Sequence, residues 1–283
     1  MEVGQIWRYP VKSMVGDTVA AVDVVETGLV GDRTWAARDQ VRGGIRGAKQ
    51  LGGLMRLSAR PVEGPGGHVS ITLPDGSTVT TADAGVGAAV SAAIDHEVTL
   101  EPLAPADDVD HYRRGEMYHD DLMEDLRATF GRVGDEPLPD LSAFPPEILE
   151  FESPPGTYHD VHPLLLMTTS ALAALGDALP DSDVDVRRFR PSLVIDTGDQ
   201  PGHVEMGWIG QQVTVGEVEL DVVGGCPRCV MVTREVGTDV PADRQVLRHI
   251  VADLGQDVGV YATVARPGRI ATGDPVQVGG AAT

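Results

Sequence analysis

Val69-Ser70-Ile71-Thr72-Leu73-Pro74-Asp75-Gly76-Ser77-Thr78-Val79-Thr80-Thr81 places a β-branched run on each side of a short Pro-Asp-Gly stretch. Val, Ile and Thr lose side-chain freedom in a helix and pack well on a pleated surface, so both runs predict strands. Pro74 and Asp75 favour a turn, and Gly76 reaches positive φ without a Cβ clash, so the stretch predicts a hairpin. The same composition recurs at residues 3–7, 19–25 and 98–100, while 82–94 is Ala-rich and predicts one helix. Residues 1–103 therefore read as a β-barrel-like or sandwich unit.

Residues 104–158 change character. Asp-rich and Pro-rich pieces at 104–110, 137–146 and 153–156 flank one expected helix over 120–130, which predicts a surface excursion linking two folded parts. Order returns over 159–283, with an apolar run at 163–167 and Thr168-Thr169-Ser170 able to cap a helix beginning near Ala171. Strands are expected at 193–196, 212–215, 217–223, 229–233, 259–265 and 275–278. Val246, Leu247, Ile250, Val251 and Leu254 recur at helical spacing within 241–254. The sum is a strand-dominated α+β chain with two β-barrel-like domains.

The chain has 283 residues, 22 Lys+Arg against 43 Asp+Glu, and a formal net charge of −21. Such a field repels phosphate backbones and anionic lipid, which argues against nucleic-acid and membrane-surface partners. Two cysteines, Cys226 and Cys229, exclude a disulfide framework. The first residues, Met1-Glu2-Val3-Gly4, have neither the basic nor the apolar stretch of a signal peptide, and the expected location is cytoplasmic. Neither a GxxxxGK[ST] loop nor a Gly-x-Ser-x-Gly elbow occurs, so nucleotide binding and the serine-hydrolase arrangement have no support.

The chemistry concentrates in a few places. Gly225-Cys226-Pro227-Arg228-Cys229 has no second Cys pair with which to complete a zinc site. It runs into Val230-Met231-Val232-Thr233, an expected strand, where a dithiol redox motif would open a helix. Two buried, inert cysteines remain one reading and a zinc site completed by distant histidines another; a single thiolate holding a soft metal, supported by Arg228 and the backbone N–H groups of the turn, is the third. In so acidic a chain, Lys12, Arg33 and Arg190, with Ser13 and Ser192 beside two of them, could form a phosphate cradle or could each pair with a surface acid. Arg187 and Arg188 belong to the same basic run. Asp160 and His162 share a face if their segment is extended.

In order along the chain stand Tyr9-Pro10-Val11-Lys12-Ser13, Gly31-Asp32-Arg33, Phe189-Arg190-Pro191-Ser192, Cys226-Pro227-Arg228-Cys229 and the Pro267-Gly268…Ile270…Gly273-Asp274-Pro275 ending. This constellation resembles the MOSC proteins, named for the molybdenum cofactor sulfurase C-terminal domain, with their N-terminal β-barrel domain, including the amidoxime-reducing components and YcbX-like bacterial proteins. The resemblance implies a molybdenum cofactor, a metal on a pterin dithiolene that ends in a phosphate. It implies that Cys229 ligates molybdenum, and that Lys12, Ser13, Arg33 and Arg190 hold the pterin and phosphate. Asp160, Val161 and His162 would line the cofactor, together with Ser192, Pro227 and Arg228. His162 and Ser192 are where the chain departs from the family pattern.

The implied reaction is reduction of N-oxygenated compounds, with Cys229 tuning the metal and Asp160 moving protons. Two cysteines are too few for an iron–sulfur relay, so electrons would come from an external reductase or ferredoxin-like donor. Three other readings compete: a sulfur carrier or cofactor-handling protein working through a cysteine persulfide, a binding module that stores the cofactor without turnover, and a degenerate member of the fold with two buried cysteines and no cofactor.

Overall fold

The computed structural model describes residues 1–64 and 66–281, and its architecture is the strand-dominated α+β arrangement read from the sequence. An eight-stranded, curled half-barrel sheet runs in the order Val276–Ala281, Gln211–Val215, Val218–Pro227, Asp257–Arg266, Leu164–Thr168, Leu193–Asp196, Glu2–Arg8, Asp17–Thr18. Every neighbouring pair is antiparallel except Leu164–Thr168 with Leu193–Asp196. That parallel pair needs a crossover, and helix Thr169–Ala178 supplies it, capped by the Thr168 hydroxyl accepting from Ala171 N. Leu164–Thr168 is buried at all five positions because it sits mid-sheet, which is why it reads as an unbroken apolar run.

The two ends of the chain are woven together. Glu2–Arg8 pairs with Leu193–Asp196, and Gly268–Ala271 pairs with Ala21–Val25. One core therefore joins Val3 and Ile6 to Leu166, Ile195, Val213, Leu220 and Val260. A second gathers Val11, Met14, Trp35, Leu54, Leu57, Ile71, Val90 and Val98 beneath the hairpin Val69–Thr72 and Thr78–Thr80. Helix Gln245–Asp253 buries the expected face, Val246, Leu247, Ile250 and Val251, against Met167 and Val258.

Three local readings change. Residues 229–233, expected as a strand, form the 3-10 helix Val230–Thr233. Pro227 has no N–H for a ladder, and after it the backbone turns, with Val232 N donating to Cys229 O and Arg234 N to Met231 O. The turn sends Met231 toward Val15 and Met55 and Val232 toward Leu247 and Ile250, so those apolar residues report burial rather than extension. The strand expected at 217–223 continues to Pro227, through register shifts at Val222/Gly224 and Gly225/Pro227 that carry it past its glycines. Residues 104–158 do more than link. Tyr112 and Tyr158 pack with Ala36 and Ile45, and helix Leu122–Phe130 forms between an Asp121 cap and Gly131 at φ 63°.

Candidate functional site

Tyr9-Pro10-Val11-Lys12-Ser13 leaves the end of strand Glu2–Arg8 and is clamped to Asp32–Trp35. Tyr9 N donates to Asp32 Oδ1 at 2.6 Å, Arg33 N to Tyr9 O at 2.7 Å and Lys12 N to Trp35 O at 2.8 Å. Ser13 at φ 69° and Arg33 at φ 48° adopt the left-handed conformation, as does Arg190 at φ 57°. A non-glycine residue there costs roughly 1–2 kcal/mol, and such strain is held where the surroundings over-determine it. Here Ala48 N donates to Ser13 Oγ at 2.8 Å, and a Cβ on Gly47 would lie 2.9 Å from that oxygen, so glycine makes the approach possible.

The cations in this region divide into those that are satisfied and those that are not. Lys12, 3% exposed, donates to Ser153 Oγ (3.2 Å), Tyr158 O (2.9 Å) and Asp160 Oδ1 (2.5 Å), which uses all three N–H groups. Burial lowers its ammonium from the ordinary value, against the pull of Asp160. Lys49 reaches the other Asp160 oxygen at 3.1 Å. Burial alone would lower Lys49, but Asp160, Cys229 and Glu152 together raise it. Between these two ammonium groups the Asp160 carboxyl, despite its burial, is held well below the usual range. Near neutral pH it is an ionised carboxylate shared by both lysines.

Arg190 is different. Its Nη1 donates to Met14 O, the guanidinium lies 4.2 Å from the Tyr9 ring centroid, and Nη2 is buried with no hydrogen-bond partner among the described residues. Burial, then repulsion from Arg33, brings it down to about 10. Arg33 pairs with Asp32 and stands 5.3 Å from the same ring. Ser192 is buried, and its Oγ accepts from Leu165 N at 3.3 Å. Arg187 faces away, paired with Asp185 and Asp239. His159 donates Nε2–H to Thr27 O at 3.0 Å, and burial holds it down to about 4, so it is neutral.

The cysteine loop is pinned from behind. Arg228 donates Nε to Val258 O at 2.8 Å and Nη1 to Phe189 O at 2.9 Å. Arg132, from the 104–158 excursion, donates to Arg228 O at 3.3 Å and to Gln256 Oε1 at 2.6 Å. Cys226 is buried; burial pushes its thiol up, and it is hydrogen-bonded to the Tyr261 side chain. Cys229 is half-buried, near enough to Lys49, Arg132 and Arg234 for a thiolate charge to act on all three. Of the two sulfurs it is the one suited to a ligand.

A cavity of about 370 Å³ opens between these loops, and its lining includes Lys12, Ser13, Arg33, Asp160, Val161, His162, Arg190, Ser192, Pro227, Arg228 and Cys229. These eleven candidates are thus brought to one place, while Arg187 is not among the lining residues. Eight Lys and Arg residues line it against two carboxylates, Asp125 and Asp160, in a chain of net charge −21. Three of its lining residues, Arg46, Gln50 and Arg190, carry a buried polar atom with no hydrogen-bond partner among the described residues. Leu122, Leu126, Phe130, Leu141 and Phe144 of the excursion form an apolar wall. Lys49, Arg46, Arg132, Tyr261 and that wall were not read from the sequence; Lys49 alone carried a signal, as one of two lysines in an acidic chain.

Such a cavity can hold an anion by charge-assisted donors at one end and a soft metal by a sulfur at the other. Among the described residues no group of three or more His, Cys, Asp or Glu side chains is arranged to hold a metal, so a metal here would bring ligands of its own.

The model of the MOSC N-terminal beta barrel domain matches residues 1–112, and that of the MOSC domain matches 154–277. The mitochondrial amidoxime-reducing component 1 of Homo sapiens is 26% identical over 303 residues, covering 97% of this chain and 82% of that protein. The Danio rerio protein of the same name is 34% identical over 127 residues, 42% of this chain and 38% of its own length. The YUAD protein from Bacillus subtilis superposes over 98% of this chain and 94% of its own with a TM-score of 0.41 and 10% identity.

Proposed function

We propose a function from one premise: the chain belongs to the MOSC-domain proteins, with the MOSC N-terminal β-barrel domain ahead of the MOSC domain. The proposal is that it holds a molybdenum cofactor, the metal on a pterin dithiolene ending in phosphate, and reduces N-oxygenated compounds with electrons from an external protein donor. The observation that carries this reading is the cluster of under-satisfied cationic donors inside a strongly acidic chain, with a half-buried cysteine in the same cavity.

The residues present fit that group. Arg190, with its orphaned Nη2, and Arg33 offer donors to a phosphate, while Lys12 is already committed and serves by fixing Asp160. Cys229 offers the thiolate ligand, and Arg228 and Arg132 hold the loop that presents it. When bound, the cofactor supplies two-electron redox chemistry, which a polypeptide with two cysteines and no cluster ligands lacks.

The net reaction is R–NHOH + 2 H⁺ + 2 e⁻ → R–NH₂ + H₂O. The chain's own part is to bind and orient. Leu122, Leu126, Phe130 and Phe144 give one side of the cavity an apolar lining for the substrate, and neutral His159 adds no charge. Asp160 stays ionised, so the two protons come from solvent or from the donor complex.

The test uses protein from a cofactor-competent host, reduced methyl viologen and benzamidoxime. The reading expects viologen oxidation that depends on both chain and amidoxime, lost in Cys229→Ser and kept in Cys226→Ser. A molybdenum-loaded chain that oxidises no viologen with an amidoxime, a hydroxylamine or an N-oxide contradicts it and favours cofactor storage. The sulfur-carrier alternative predicts cyanide-releasable sulfur on Cys229 or Cys226 instead.

A further inference from the structure

Behind the rings of Phe144, His162 and Tyr261 lies a second cavity, of about 320 Å³, which shares those three residues and Pro227 with the first. Its charge is opposite. Its described lining contains no Lys or Arg and two carboxylates, Asp140 and Asp257.

Asp140 is already used, its Oδ1 accepting from Ser142 N at 3.0 Å and Ser142 Oγ at 2.6 Å. Asp257 is half-buried, and among the described residues its carboxylate has neither a hydrogen bond nor an ion pair. The backbone makes room for it. A Cβ on Gly225 would come within 2.4 Å of Asp257 Oδ2, so only glycine lets the carboxylate lie there. Burial pushes the Asp257 carboxyl above the ordinary range, with Arg228 opposing. A cation seated beside it would offset that burial.

The shared wall suits a flat cation. Tyr261 meets Phe144 edge-on at 6.5 Å and His162 at 5.2 Å between centroids. Burial holds His162 neutral and the Tyr261 phenol protonated, so neither ring bears a charge that would repel one. Aromatic faces and an unpaired carboxylate are the groups that recognise a planar, positively charged donor.

We propose that this second cavity binds the planar cationic group, a guanidinium or amidinium, of the compounds handled at the neighbouring site, with Asp257 as its counter-charge and Tyr261 as one wall. Only the link to N-oxygenated substrates rests on the proposed function; selectivity for a cation stands or falls by binding alone.

The probes are phenylguanidine and its neutral isostere phenylurea, titrated calorimetrically at 150 mM salt into the full chain as purified, with molybdenum counted in the same samples. Phenylguanidine should bind at least tenfold more tightly than phenylurea. Asp257→Asn should abolish that preference while leaving the metal content unchanged, and Asp140→Asn should leave the preference in place. Equal binding of the two probes to the wild-type chain overturns the proposal with no variant needed, as does a preference that survives Asp257→Asn. If cation preference is found in a chain that never turns over an N-oxygenated compound, the proposed activity fails and the cation site stands.

Discussion

Arg190 and Arg228 line the same cavity and are buried alike, 7% and 6% exposed, yet their surroundings give them different work. Arg228 spends its guanidinium on Val258 O, Phe189 O and the Met167 sulfur, and stacks 5.3 Å from the Phe189 ring. Among the described residues Arg190 has one carbonyl acceptor and the Tyr9 ring, sits at positive φ, and leaves Nη2 unbonded. A satisfied buried cation is part of the scaffold; an unsatisfied one, held in a strained conformation, marks where an anion completes the structure. Position in the cavity does not separate the two roles, and hydrogen-bond satisfaction does.

The comparison can be broken most directly at Arg228. Arg228→Met would leave the buried carbonyls of Val258 and Phe189 without their donor, and the free chain should lose about 4 kcal/mol in urea unfolding. A loss below about 1 kcal/mol would mean that Arg228 is not scaffold.

His159 sharpens it through pH. Between the unfolded value of 6.5 and the folded value of about 4, the unfolded chain binds the proton and the folded chain does not. Stability contributed by this buried histidine is therefore complete above pH 7 and is lost as pH falls through that window, by about 3 kcal/mol. His159→Gln should flatten the slope of unfolding free energy against pH between 6.5 and 4; an unchanged slope would show that the proton goes elsewhere.

Asp160→Asn strips the shared counter-charge from Lys12 and Lys49. The carboxylate is 35% accessible, so solvent screens part of the loss, and about 2 kcal/mol is expected. Added inorganic phosphate should restore some of it, since an anion in the cavity can replace the missing charge. No response of the variant's melting temperature to phosphate would argue against an anion site beside these lysines.

Arg190→Met should move stability least, by under about 1 kcal/mol, because one lost bond to Met14 O is offset by removing an unsatisfied buried donor. Retained molybdenum, by contrast, should fall about tenfold or more, the worth of one charge-assisted hydrogen bond.

Much of this was legible in the sequence where the signal is local. The Leu73–Ser77 turn, the apolar face of helix Gln245–Asp253 and the Thr168 cap each follow from a few adjacent residues. The eleven residues singled out in the sequence line one cavity. What escaped depends on distant partners. Nothing near Glu2 announces pairing with Asp196, and nothing near Arg132 announces a bond to Arg228 O, 96 residues away. Val230–Thr233 misled because β-branched residues mark burial as readily as extension, and there the buried partners come from two cores. The convergence of Lys12 and Lys49 on Asp160 escaped, like those pairings, because the partners are distant in the chain.

The central claim is that the cation-rich cavity exists to hold a sulfur-ligated, anionic metal cofactor, and molybdenum per chain tests it most directly. Wild type, Cys226→Ser, Cys229→Ser and Arg190→Met would be purified from one cofactor-competent host and measured by metal mass spectrometry. The account predicts near-stoichiometric molybdenum in wild type and Cys226→Ser, with loss in Cys229→Ser and Arg190→Met. A folded wild-type chain without molybdenum, or Cys229→Ser retaining it in full, would contradict the account.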